Sequence, residues 1–276
     1  MTARGLLPAA AARLKAAGVA DPARDARLIL AHALHLPADR LTLHLDDPLP
    51  PCAAARIEAA LAARAARQPV SQIIGQRLFW GRTFHVTPDV LDPRPETETL
   101  IAATLEAPFA RVLDLGTGSG AILLTLLAER PRATGLGVDL SDAALAVARR
   151  NAQALGLTDR CTLRVSDWFG AVTGRFDLIV ANPPYLAAAE MTALAPETRD
   201  WEPAAALLGG DDGLDAYRTI AAGAGAHLRP GGRLILEIGP TQGDAVAALV
   251  TDARLGAVAR RSDMDGRDRV ILVRAG

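Results

Sequence analysis

The chain has 276 residues, half of them hydrophobic, with a formal net charge of −1 and two cysteines. That length suits one large domain, or a medium domain with a small companion. The balanced charge excludes the basic surface of a dedicated nucleic-acid binder, so no stable nucleic-acid binding is expected. Cys52 and Cys161 lie far apart and form no CxxC pair, so neither a disulfide framework nor a zinc site is indicated, and no metal is expected. Lys15 is a lysine among arginines that are scattered and interleaved with acids, a pattern of coding bias. The alanine-rich start is broken by Arg4, Arg13 and Lys15, unlike a secretory leader. No uncharged apolar run is long enough to span a bilayer. A cytoplasmic protein without membrane attachment is the default.

In chain order, the first part reads as helices only. Asp21-Pro22 is a helix start, an acid that caps free N–H groups before a proline that fits the first turn. Leu28, Ile29 and His32 then recur at helical spacing. A second helix is predicted over 53–67, with Ile57 and Leu61 on one face and Arg56, Glu58 and Arg64 elsewhere. The proline-rich run Asp47-Pro48-Leu49-Pro50-Pro51 turns the chain between them. Residues 1–75 are therefore expected to form a small helical domain.

The pattern changes over 78–86, where aromatic and β-branched residues surround Gly81 and predict a β-hairpin. The hairpin, taken as 76–93, serves as a linker. In the segment Pro93-Arg94-Pro95-Glu96-Thr97-Glu98 two prolines are expected to stop any regular element. Arg94 and Glu96 can pair with each other or hold a lid, and a solvated linker is the plainer alternative.

From about residue 111 strands and helices alternate. Strands are predicted over 111–115, 134–140, 162–165, 176–180 and 233–238, and helices over 121–129, 142–155, 214–227 and 242–252. Alternation of this kind implies a doubly wound, mostly parallel sheet with helices on both faces, the α/β Rossmann-like class. Segments 257–261 and 269–273 flank Asp265-Gly266 and predict an antiparallel hairpin that closes the sheet. Residues 94–276 would form this larger domain.

Leu115-Gly116-Thr117-Gly118-Ser119-Gly120 lies between the first strand of that domain and its helix. The glycines permit a sharp turn and close approach of a ligand, and the helix N-terminus behind them offers N–H groups to an anion. A glycine loop alone is a weak signal, because dinucleotide enzymes use a close relative of it. Asp139 adds the second half. It ends the next strand about twenty residues on, where a carboxylate accepts from both ribose hydroxyls. The alternative is that Asp139 caps the following helix, but Ser141 stands at the expected cap. Asp167-Trp168 follows the third strand, on the adenine side of such a cleft, as an acceptor for an amino group and a ring to pack on. An ordinary core tryptophan after a turn aspartate is the alternative.

Asn182-Pro183-Pro184-Tyr185 follows the apolar strand over 176–180. Two prolines fix φ and donate no N–H. The Asn182 side-chain oxygen and the Pro183 carbonyl can then accept both hydrogens of one NH₂ group while Tyr185 stacks on the planar target. An amide nitrogen is a poor nucleophile because its lone pair is delocalised. Paired acceptors stabilise the positive charge that develops on it and aim its lone pair at a methyl carbon. The tetrapeptide contains no histidine, cysteine or lysine, so no strong general base is assigned. A methyltransferase acting on an amide or amine nitrogen with S-adenosylmethionine, leaving S-adenosylhomocysteine, is the expected enzyme.

At these residues the chain resembles the protein-(glutamine-N5) methyltransferases that act on peptide-chain release factors. The resemblance runs over nearly the whole chain and includes Gln68 to Gly75, Phe79-Trp80-Gly81, Arg94 to Glu98, Asn182 to Tyr185, Glu202-Pro203, Gly209-Gly210, Asp212-Gly213-Leu214, Glu237-Ile238-Gly239 with Gln242, and Asp268-Arg269-Val270. It implies a class I methyltransferase domain behind a helical N-terminal domain, and as substrate the glutamine of the Gly-Gly-Gln motif in class 1 release factors. It implies cofactor contacts at Gly116 to Gly120, Asp139, Trp168 and Asn182, and substrate contacts at Asn182, Pro183, Pro184 and Tyr185. It also implies that Pro93 to Glu98 lies near the pocket. Val70 and Ile73-Ile74 depart from the larger or aromatic residues common there. A nucleic-acid methyltransferase acting on adenine N6 or another exocyclic amine is the competing expectation, and a non-enzymatic binding module on the same scaffold is the second.

Overall fold

A computed structural model describes residues 2–276. The chain divides into two units, one running up to Gln76 and including Ala195–Trp201, the other comprising Arg77–Leu194 and Glu202–Gly276.

The first unit contains α1 (Ala3–Ala16), α2 (Pro22–Ala33), α3 (Ala53–Ala65) and the short α4 (Val70–Ile74). As predicted, α2 starts at Pro22, where the Asp21 carboxylate accepts from the Arg24 amide at 3.3 Å. Its buried face is not the expected one. Ala26, Ile29, Leu30 and Ala33 are buried, whereas Leu28 is half-buried and His32 exposed. The alanines complete an i, i+3, i+4, i+7 stripe that is easily overlooked in a chain with alanine on every face.

A second difference lies in α3. Arg64 shares the face of Ile57 and Leu61 and is only 6% exposed. Asp25 makes that burial tolerable, with Nε to Oδ2 at 2.7 Å. The rest of the guanidinium reaches the Gln68 carbonyl at 3.2 Å and Glu197 at 3.0 Å. A charge leaves water only with such partners. Glu197, in the single turn Pro196–Arg199, also accepts from Arg67 at 2.8 and 2.6 Å. Burial alone would raise the Glu197 carboxyl. The guanidiniums of Arg67 and Arg64 outweigh it and hold the group below the usual carboxylate range.

Beyond the helices, β1 (Gln76–Phe79) and β2 (Arg82–His85) form the predicted hairpin. It turns at Trp80-Gly81, both with positive φ (48° and 69°), the geometry that matches strand twist across a two-residue loop. The Glu98 carboxylate pins the turn by accepting from the Trp80 amide at 2.8 Å. The next segment departs from expectation. Pro95–Thr97 forms one 3₁₀ turn and α5 (Glu98–Leu105) follows directly. A proline in the first turn gives up no needed hydrogen bond, so these prolines start a helix rather than forbid one.

The larger sheet is built from β3 (Arg111–Leu115), β4 (Thr134–Asp139), β5 (Cys161–Val165), β6 (Phe176–Ala181), β7 (Leu228–Glu237), β8 (Ala257–Ser262) and β9 (Asp268–Arg274). Its order is β5-β4-β3-β6-β7-β9-β8; the first five run parallel, and β9 and β8 close it antiparallel as predicted. The helices α6 (Ala121–Glu129), α7 (Asp142–Ala154), α8 (Asp215–His227) and α9 (Gly243–Asp252) complete the unit. Along β3, Val112 joins the core cluster of Leu123 and Leu126, and Leu113 joins that of Tyr217 and Ile220. Successive residues thus feed two cores on opposite faces, as a sheet covered on both sides requires. The topology is that of a class I methyltransferase.

The order reverses at β3, which pairs with β4 on one side and β6 on the other. Leu115 is in register with Val138 and with Ala181. Gly116, Asp139 and Asn182 therefore leave the sheet at one level, at its carboxyl edge, where open α/β sheets bind ligands. No helix among the described residues is long and apolar enough to cross a membrane.

Candidate functional site

A cavity of about 370 Å³ opens at these strand ends. Gly116, Thr117, Gly118 and Ser119 form one part of its wall, and Asp139, Asp167 and Trp168 another. Asn182 and Pro184 close it from the β6 side, with Arg94 and Thr97 nearby on the wall.

The glycine loop is shaped from beneath. Thr117 Oγ1 donates to Asp114 Oδ2 at 2.6 Å, and the Gly116 and Thr117 amides both donate to the Val138 carbonyl at 2.9 Å. Asp114 is fully buried and its other oxygen has no hydrogen-bond partner. Burial pushes this carboxyl up to about 7 against the pull of Thr117. Gly116 and Gly118 have positive φ (70° and 54°), and a Cβ on either would meet nothing within 4 Å. Glycine is needed here for the backbone and leaves room for a ligand. Gly120 serves packing instead. It is the left-handed N-cap of α6, and a Cβ there would fall 2.9 Å from Leu124 Cδ1.

Asp139 does not cap α7. Ser141 does, accepting from the Ala144 amide at 3.1 Å. One Asp139 oxygen accepts from the Gly118 amide at 2.8 Å and the other from the Ser141 amide at 2.9 Å. Each carboxylate oxygen keeps a further lone pair for the cavity. The Gly118 N–H is thereby taken up by the protein. Asp167 is exposed. Trp168 is half-buried with φ of 44°, in a turn held where Ser166 Oγ donates to its carbonyl at 2.8 Å.

On the other side, Asn182 Nδ2 donates to Thr97 Oγ1 at 3.2 Å, which leaves the side-chain oxygen unclaimed by that contact. Pro183 is buried, and Tyr185 is half-buried against the core cluster of Tyr217 and Ile238, so neither forms part of the cavity wall. Burial raises the Tyr185 hydroxyl above its usual value. Gln242 clamps the loop. Its Nε2 donates to the carbonyls of Tyr185 (2.9 Å) and Gly213 (3.1 Å), and its Oε1 accepts from the Gly239 amide at 3.0 Å. Gly209 and Gly213 approach too closely for a side chain, since a Cβ would lie 2.7 Å from the Pro184 carbonyl oxygen and 2.4 Å from that of Tyr185. Several motifs with no evident chemistry in the sequence thus hold the tetrapeptide.

Arg94 pairs with Glu202 (2.5 Å) rather than with Glu96. Burial pushes the Glu202 carboxyl up to about 7 against the pull of Arg94. Sequence reasoning assigned no role to Glu202, Thr97 or Glu237 individually, although each lies in a motif it singled out. A carboxylate or hydroxyl beside a strand end is too common to stand out without the register.

The chain matches the family models of the PrmC N-terminal domain over residues 6–75 and of the methyltransferase small domain over residues 92–198. It is 66% identical over 274 residues to a release factor glutamine methyltransferase of Cereibacter sphaeroides, covering 99% of each chain. It is 48% identical over 272 residues to one of Rhodospirillum rubrum, covering 98% of this chain and 84% of that one. Among solved structures, a T. thermophilus 16S rRNA N2 G1207 methyltransferase in complex with AdoMet and guanosine superposes with a TM-score of 0.53 at 25% identity, over 73% of this chain and 50% of that one.

Proposed function

The chain belongs to the release factor glutamine methyltransferases, and from that premise we propose that it methylates the side-chain amide nitrogen of the glutamine in the Gly-Gly-Gln motif of class 1 release factors, with S-adenosylmethionine as donor. The observation that carries this is the cavity wall itself. A glycine cradle with space above it, a strand-end carboxylate and an asparagine with a tethered amide nitrogen stand at one level of the sheet.

The residues present fit the cofactor. The open glycines 116 and 118 admit its methionine end, with Thr117 and Ser119 on the same wall and Gly120 setting the start of α6. Asp139 retains acceptor capacity for two ribose hydroxyls, and Asp167 and Trp168 border the adenine side. When bound, S-adenosylmethionine supplies a methyl group on a positively charged sulfur. The protein's part is to bring the amide nitrogen in line and to stabilise the charge that grows on it. The Asn182 side-chain oxygen and the Pro183 carbonyl accept the two N–H groups, Pro184 keeps the corner rigid and Tyr185 backs it. The proton leaves to water after transfer.

The helical unit, 1–75 in its sequence extent, serves substrate recognition, the hairpin region 76–93 links it, and 94–276 is catalytic. The enzyme works in the cytoplasm, beside its translation-factor substrate, without stable nucleic-acid binding.

Mass spectrometry of a release factor incubated with enzyme and isotope-labelled S-adenosylmethionine tests the assignment. The label is expected on the glutamine amide, and a label on another residue overturns it. Asn182→Ala should slow single-turnover methylation on the order of a hundredfold or more, the usual effect of losing one partner of a developing charge.

A further inference from the structure

The cavity is lined by the carboxylates Asp89, Asp92, Asp139 and Asp167 and, among the described residues, by a single cation, Arg94. S-adenosylmethionine carries two positive groups, a sulfonium and an ammonium, and one negative group, its carboxylate. The carboxylates of the wall suit the first two. The third needs donors of its own, because a carboxylate taken out of water without them is costly.

The glycine loop has few donors left to give. The Gly116 and Thr117 amides donate to the Val138 carbonyl, and the Gly120 amide donates to the Thr117 carbonyl at 2.8 Å. The Gly118 amide donates to Asp139. Four of the five amides over 116–120 are therefore spent on the protein itself.

Arg94 stands at the end of the cleft where that carboxylate belongs. The strand ends run in the order β5-β4-β3-β6. Asp167 and Trp168 follow β5, Asp139 ends β4, the glycine loop follows β3 and Asn182 follows β6. The adenine side is thus at β5, and the amino-acid end of the cofactor points toward β6. There Thr97 Oγ1 accepts from Asn182 Nδ2, and the Thr97 amide donates to the Arg94 carbonyl at 3.1 Å. Arg94 is therefore one turn away from the Asn182 side of the cavity.

We propose that Arg94, oriented by Glu202, binds the carboxylate of the cofactor's methionine moiety. The proposal rests on reading the cavity as a site for S-adenosylmethionine. The Arg94 side chain is 33% exposed, whereas that of Glu202 is 1% exposed behind it. Their contact, at 2.5 Å, occupies Nη2. A guanidinium has five N–H donors in a planar fork, so Nε and Nη1 can still face a second carboxylate. Glu202 fixes the fork from behind, and its neighbours Pro203, Ala205 and Ala206 complete the wall on that side. A guanidinium held in this way has less rotamer freedom to lose on binding.

Calorimetry on the full-length enzyme tests this, with two ligands that differ only in the carboxylate: S-adenosylmethionine and its decarboxylated analogue. Wild type should bind the first about tenfold to a hundredfold more tightly, the range for a charge-assisted hydrogen bond. Arg94→Met keeps the apolar stem and should lose the preference, binding both ligands with the affinity wild type shows for the analogue. Arg94→Lys should restore part of it. Glu202→Gln should weaken S-adenosylmethionine binding in the wild-type background and cost nothing further in Arg94→Met. A wild type that binds the two ligands equally overturns the proposal without any variant. So does a preference retained by Arg94→Met, or an equal loss of both ligands, which would assign Arg94 to the shape of the wall. Unchanged affinities with a raised KM for release factor would give Arg94 to the protein substrate and also overturn it. Failure of wild type to bind either ligand would overturn the cofactor reading itself.

Discussion

The two units treat buried acids in opposite ways. In the helical unit Glu197 sits between Arg64 and Arg67, and Asp25 meets Arg64 at 2.7 Å, so charge is matched where it is buried. In the α/β unit Asp114 and Glu237 are buried with an oxygen left unpartnered, and Glu202 stays raised even beside Arg94. One unit uses its charges to hold helices together. The other keeps incompletely paired acids behind a cavity, which is where perturbed groups mark function more often than packing.

The broadest way to break this contrast is a pH series of urea unfolding on two conservative variants. Asp114 has its carboxyl raised to about 7, so the folded state holds a proton that the unfolded chain releases near 4. Wild type therefore loses stability as pH rises from about 4 to 7, and Asp114→Asn does not. The variant should gain on wild type across that window and then plateau. Glu197 is held low, so its contribution is full above the ordinary value near 4.5 and is lost as pH falls through its depressed one. Glu197→Gln should be the weaker protein at pH 7 and draw level only in acid. Parallel slopes for the two variants would erase the contrast.

Arg64→Ala comes next. It leaves Asp25 buried without its partner and removes one of two cations from Glu197. Stranding a buried charge typically costs about 3–5 kcal/mol, readable as a lowered urea midpoint. A loss under about 1 kcal/mol would mean the network is solvated and the helical unit is held by its apolar stripe alone.

The same contrast explains what was legible beforehand. The α/β unit could be read well because strand order and register force three separated segments, at Gly116, Asp139 and Asn182, to one edge. Each carries a residue type with few structural uses at that place. The prolines of 93–95 misled because proline both ends and begins helices, and only the following helix decides which. The clamp of Gln242 on Gly213 and Tyr185 spans 57 residues and leaves no periodic trace. In the helical unit Arg64 was assigned to the polar face by its type, although its spacing from Ile57 and Leu61 set it on the buried one. Its partner Glu197 lies 133 residues away, beyond any local pattern.

Two glycines sharpen the comparison at smaller amplitude. Gly18 and Gly213 have nearly the same φ, 76° and 75°. A Cβ on Gly18 would meet only the flexible end of Arg67 at 3.1 Å, whereas one on Gly213 would strike the Tyr185 carbonyl at 2.4 Å. Gly18→Ala should cost about 1 kcal/mol of backbone strain and leave turnover intact. Gly213→Ala should cost about 1–3 kcal/mol and also slow methylation, because the displaced backbone is that of the proposed acceptor corner. Equal turnover by the two variants would show that the corner tolerates the shift.

The smallest effect is the one on which the units should agree. Asp21 caps α2 and Ser141 caps α7, at 3.3 and 3.1 Å from the amides they accept. Capping is local, so alanine at either site should cost about 1 kcal/mol whatever the surroundings. Ser141 borders the cavity, yet its tie to Asp139 runs through its backbone N–H, which alanine retains. Calorimetry on Ser141→Ala should therefore find S-adenosylmethionine affinity unchanged while the urea midpoint falls. A matched loss of affinity would mean that the Ser141 hydroxyl itself contributes to the proposed cofactor site.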